Sequence, residues 1–151
     1  PVTEKQNLPS KTAYVPLFLG GYHDYLRPDD NFVEARGLVF GQTQERNFMG
    51  QRDFYDFFTF DLNAVTDVQI KLEVPDDSDF DLFLYGQNKL QWSSSTSALQ
   101  GEDEYIPPEQ NDEKDKFIRL EPRRYYVIVQ RSFPTAQPDK DAVYKITLLS
   151  Q

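Results

Sequence analysis

Apolar and polar residues along this chain fall into short runs with a period near two, separated by turn-forming residues. The clearest run is Val68-Gln69-Ile70-Lys71-Leu72-Glu73-Val74, where apolar and polar side chains alternate without a break. A strand with one buried and one wet face requires that pattern. Within Gly50 to Leu62 (GQRDFYDFFTFDL), a strand from Asp56 onward sends Phe58, Phe60 and Leu62 to one face. Phe57, Thr59 and Asp61 go to the other. The first set is stabilised only by burial, so this strand belongs in the core, with Asp53 and Asp56 at its entrance. Phe80 to Tyr85 (FDLFLY) is apolar on both faces except at Asp81, and with Tyr125 to Gln130 (YYVIVQ) it reads as a central strand. Phe117 to Leu120 and Tyr144 to Leu149 add two more, and Leu38-Val39-Phe40 is strand-like.

Turns are predicted at Pro75 to Asp79, Gly86 to Asn88 and Glu121 to Arg124. Gln42 to Asn47 reads as a polar connection. Residues 91–116, with the Ser/Thr run Ser93 to Ser97 and the pair Pro107-Pro108, read as a long loop. Seven or eight short strands and no amphipathic helix define an all-β class, an antiparallel β-sandwich or jelly roll. Its expected core is Phe58, Phe60, Leu62, Val68, Ile70, Leu72, Leu82, Leu84, Val127, Val129, Ile146 and Leu148. Residues 1–21 form a leader in which Thr12 to Gly20 (TAYVPLFLG) is a candidate edge strand, since Pro16 lacks a ladder donor. Residues 22–151 form the domain.

Composition narrows the function classes. Of 151 residues, 12 are Phe and 9 Tyr, a content that suits half-buried pleated faces. The formal net charge of −9 excludes a nucleic-acid partner, which needs a basic surface. No apolar run is long enough to span a membrane as a helix. Without Cys, neither disulfides nor thiolate metal sites are available. The chain opens on Pro1, as a processed product or an excised piece would.

The candidate chemistry is acidic. His23 is the sole histidine and no G-x-S-x-G elbow exists, so no nucleophilic device is expected and the protein reads as non-enzymatic. Zinc is disfavoured by one His and no Cys. Calcium prefers hard oxygen donors. The run Asp76, Asp77, Asp79, Asp81 fails as an EF-hand, because counting from Asp77 the sixth position is Leu82 and the twelfth Asn88. Asp81 instead reads as an acid bonded to turn amides. Asp53 and Asp56 lie beside a second acidic loop, Pro28-Asp29-Asp30-Asn31.

Four motifs follow in order: PDDNFVEA (Pro28 to Ala35); Gly50, Asp53, Asp56, Phe57, Phe58 and Phe60; Asp79 to Tyr85 (DFDLFLY); and Leu120 to Val129 (LEPRRYYVIV). A closing Tyr144-Lys145-Ile146-Thr147-Leu148 completes the set. On these residues, from Pro28 to about Leu149, the sequence resembles the bacterial pre-peptidase C-terminal domain, the module that is also the collagen-binding domain of clostridial collagenases. The resemblance implies a jelly-roll sandwich and a calcium ion held by Asp29, Asp30, Asp53 and Asp56, with Asp24 as a substitute donor. It also shows two departures. Arg27 stands where calcium-binding members carry a glutamate, so a built-in cation is the alternative to the ion. Arg123 replaces the usual glycine of the Tyr-Tyr turn, which implies a remodelled turn.

The expected function is therefore a non-catalytic accessory module of a secreted or cell-surface bacterial protein, calcium-stabilised and binding an extended protein or polysaccharide polymer. Tyr126, Tyr85 and Trp92 are the candidate ligand-binding aromatics, with Phe83 and Tyr85 also readable as core and Trp92 as an exposed loop residue. The alternative is a free-standing structural or assembly subunit of an extracellular or envelope complex, with TAYVPLFL docking on a neighbour.

Overall fold

The computed structural model describes residues 29–48, 53–76, 78–87, 89–94, 103–106, 117–131 and 143–151. Among them are ten strands and no helix: β1 Arg36–Gly37, β2 Thr43–Asn47, β3 Tyr55–Asp61, β4 Thr66–Glu73, β5 Phe80–Gly86, β6 Lys89–Ser94, β7 Glu104–Ile106, β8 Ile118–Leu120, β9 Arg124–Arg131 and β10 Val143–Ser150. They build two sheets. One has the order β1-β3-β9-β5-β6; the other has β2-β10-β4-β7, with β8 also pairing β4. Every pairing is antiparallel except the short β1–β3 contact. The all-β sandwich expected from the period-two pattern is the observed architecture.

All twelve expected core residues are buried. Register explains why: Phe58, Val127 and Leu84 form one row across β3, β9 and β5, and Asp56, Val129 and Leu82 form the next. In the second sheet Ile70 and Leu148 pair, as do Leu72 and Ile146. Alternation then delivers both sets to the space between the sheets.

Several readings are corrected or refined. Residues 42–47 contain strand β2, not a connection, and residues 91–116 contain part of β6 and all of β7. Leu38 to Phe40 is not a strand; β1 lies just before it, and Phe40 makes only an isolated bridge to Leu148. Gln69, expected on a wet face, is 5% exposed. The Arg123 turn requires no glycine, since the one described non-glycine residue with positive φ is Gln87, at 52° in the β5–β6 hairpin. The Arg123 carbonyl accepts the Leu62 amide at 2.9 Å, so the turn is tied to the end of β3. The edge segment proposed at residues 12–20 and the leader boundary lie outside the described residues.

Gly86 shows how tightly the core is filled. It pairs with Tyr125, whose ring stacks on Phe60 at 5.3 Å and whose hydroxyl donates to the Glu121 carbonyl at 2.9 Å. A Cβ on Gly86 would lie 2.9 Å from that pinned ring. Gly86→Ala is expected to cost about 1–3 kcal/mol by overpacking. Gly37→Ala, with nothing within 4 Å of its Cβ, should stay within about 0.5 kcal/mol of the parent. Urea denaturation of both variants checks the contrast.

Candidate functional site

Parity places Asp56 inside the sandwich. It shares the face of Phe58 and Phe60, pairs with Val129, and is only 3% exposed. A buried carboxylate needs a partner, and it has one on the opposite sheet: the hydroxyl of Tyr144, on β10, donates to Asp56 Oδ2. The Tyr144 ring is fully buried against Phe48 and Phe80, at centroid distances of 5.5 and 5.7 Å.

The other acids gather around this bond. Asp53 and Asp29 are each 4% exposed, and Asp30 lies half-buried beside them. Burial pushes Asp56 well above the ordinary carboxylate range, and the charges of Asp29, Asp53 and Asp30 push it further, against the pull of the Tyr144 hydrogen bond. Asp29 is raised by burial too, opposed by Arg36. Burial and the neighbouring Asp56 raise Tyr144 well above its usual value. The structure thus brings Asp29, Asp30, Asp53 and Asp56 into one electrostatic neighbourhood. Asp24 and Arg27 lie outside the described residues.

Three arginines, none of them singled out from sequence, share that neighbourhood. Arg36 Nε donates to Asp29 Oδ2 at 2.6 Å. Arg131, 5% exposed, donates to the Asp53 carbonyl at 3.3 Å and lies 5.8 Å from the centroid of the Phe48 ring. Arg46, the register partner of Tyr144, adds a positive charge that acts on Asp29 and Tyr144. As a donor set the acids suit calcium, being all oxygen. In their arrangement two of them are already engaged. Among the described residues no three acidic side chains are placed to hold one ion, Arg36 covers Asp29, and Tyr144 covers Asp56.

The same loop reaches the outer face of the first sheet. Asn31 Oδ1 accepts the amides of Val33 and Glu34 at 2.9 and 3.1 Å, and the Asp29 carbonyl accepts the Phe57 amide at 2.7 Å. So fastened, the loop lays Phe32 edge-on over Phe57, Tyr126 and Tyr85, with centroids at 5.0, 4.9 and 6.2 Å. Each such contact contributes about 0.5–1.5 kcal/mol beyond burial. This roof explains why outward-pointing Phe57 is fully buried.

Of the three candidate aromatics, the structure unites two. Tyr85 and Tyr126 are cross-strand partners on the outer face, half-buried, in a row beside Ile128 and Phe83. Phe83 and Tyr85 therefore do not belong to the core between the sheets. Trp92 pairs with Leu84, so it lies on the opposite face, at the free edge of the sheet, in a strand rather than a loop, and is 42% exposed. Asp81, opposite Gln130, also belongs to the outer face.

The architecture defines a class: an antiparallel β-sandwich with an acidic loop fastened to the entrance of an aromatic strand. Neither the family models nor the curated proteins contain a match. Among solved structures, the chain is similar to the pre-peptidase C-terminal domain of collagenase from Bacillus anthracis, at 13% identity and a TM-score of 0.53, over 76% of this chain and 93% of that one. The fold is that of a pre-peptidase C-terminal domain. Among the described residues no helix is long and apolar enough to cross a membrane.

A pH prediction follows from Asp56. Its raised pKa means that folding favours the protonated acid. That stabilisation is full below the ordinary carboxylate pKa and is lost as pH rises through the raised value. Asp56→Asn mimics the protonated form and still accepts from Tyr144. Its stability relative to wild type should therefore improve from acid to neutral pH, by at most about 1.4 kcal/mol per pH unit. Denaturant titrations of both proteins across that range check the slope.

Proposed function

We propose that this chain is a non-catalytic binding module of a secreted or cell-surface bacterial protein, presenting the outer face of its β1-β3-β9-β5-β6 sheet to an extended polymer. The carrying observation is that face itself. The solvent side of a sandwich is ordinarily polar, whereas here Phe57, Ile128 and Phe83 form one cross-strand row and Thr59, Tyr126 and Tyr85 the next. The rings of Phe32, Tyr85 and Tyr126 stay half-exposed at its centre, offering rigid amphipathic surface at low entropic cost. Support for the accessory role comes from the fold shared with a collagenase domain and from the four sequence motifs that resemble that family. Calcium, expected from the resemblance, would have to take Asp29 from Arg36.

The test is co-sedimentation with fibrillar collagen and with crystalline cellulose. Retention on one of these is expected, with Tyr126→Ala weakening it up to about tenfold and Trp92→Ala, on the other face, leaving it unchanged. No retention on either fibre, or equal retention of Tyr126→Ala, overturns the proposal.

A further inference from the structure

The acids at the entrance of β3 lie where the resemblance puts a calcium ion, yet positive charge is already built in there. Arg36 sits on β1, seven residues after Asp29, and its Nε reaches Asp29 Oδ2 at 2.6 Å. The Asp29 side chain is buried, at 5% exposure, and that of Arg36 is half-buried, at 28%. The buried Arg131 guanidinium donates to the Asp53 carbonyl, and Arg46 stands across from Tyr144. A carboxylate cluster out of water needs an opposite charge nearby. A guanidinium fixed by the backbone supplies it permanently, whereas an ion supplies it only above its dissociation constant.

We infer that Arg36 is the resident cation of this cluster and seats the loop at residues 29–34 on β3 without a metal ion. A dication entering here would have to displace Arg36 from Asp29 and would then share its surroundings with three guanidinium groups. The loop therefore keeps Phe32 over Phe57, Tyr126 and Tyr85 in calcium-poor and calcium-rich surroundings alike. Arg27, the cation considered from sequence, lies outside the described residues; Arg36 comes from the strand that follows the loop. The inference stands apart from whatever the outer face binds, so the fibre assay and the experiment below can fail separately.

Two readouts on the whole chain test it: the melting temperature in millimolar calcium or in chelator, and hydrogen exchange of the Phe57 amide, which the Asp29 carbonyl accepts. The wild-type melting temperature should be the same in both solutions, where an ion a hundredfold above its dissociation constant would raise it by about 5 °C or more. Arg36→Gln should lower it by about 5 °C or more and speed Phe57 exchange at least about tenfold, because Asp29 is left buried without its ion-pair partner. The double variant Asp29→Asn with Arg36→Gln should recover more than half of both losses, since neither charge is then left alone. A calcium-dependent rise in the wild type overturns the inference. So does wild-type Phe57 exchange in Arg36→Gln, or a double variant no better than the single one.

Discussion

The bond from the Tyr144 hydroxyl to Asp56 joins the two sheets through their shared interior, and much else is arranged by it. Apolar side chains between sheets tolerate small slips, because dispersion and burial have little direction. A hydrogen bond between one strand of each sheet does not. Shifting β3 by one residue would turn Asp56 to solvent and strand Tyr144 in the core. Phe48 and Phe80 hold the Tyr144 ring from the sides, so the position of the hydroxyl is set by packing. The cost is a carboxyl group kept out of water. The neighbouring acids are answered by positive charge, Asp29 by Arg36 and Arg46 and Asp53 by Arg131.

From that point the structure grows by contact. Arg36 holds Asp29, and the Asp29 carbonyl takes the Phe57 amide just before the stretch of β3 that pairs β1. The same segment carries Phe32 to the outer face, where it covers Phe57 and packs on Tyr126 and Tyr85. An interior polar bond and an exterior aromatic cluster are thus two ends of one short stretch of chain. The outer face is not flat: its centre is a ring from the opening loop.

What was legible in the sequence was what alternation controls. Val68, Ile70 and Leu72 are fully buried because a seven-residue alternating run admits one register only. The inward position of Asp56 was equally available, since it shares parity with Phe58 and Phe60, and that of Tyr144 follows from Ile146 and Leu148. β2 was hidden because Thr43-Gln44-Glu45-Arg46-Asn47 carries no apolar residue; it is a charged edge strand defined by its pairing to β10. β6 did leave a signal, Leu90 and Trp92 two apart after a two-residue turn, but a serine run masked it. The Phe32 roof and the Arg36 pair join residues distant in period or in sheet, and no local pattern encodes them. The topology deepens this, because consecutive strands mostly change sheets and β5–β6 is the sole tight hairpin among the described strands.

The position of Arg36 also bears on how the loop closes. The pair with Asp29 spans seven residues, so the chain entropy lost in forming it is small and grows only slowly with loop length. An ion cage drawing on the opening loop and on β3 would close a segment several times longer and would also order its donors one by one. A guanidinium delivered by β1 needs neither, because β1 is already placed by its parallel pairing to Phe58 and Thr59. The strand that begins the sheet therefore brings with it the charge that its own preceding loop requires. Loop, counter-charge and strand edge form one local unit, and the buried acids Asp53, just before β3, and Asp56, within it, are what that unit is built against.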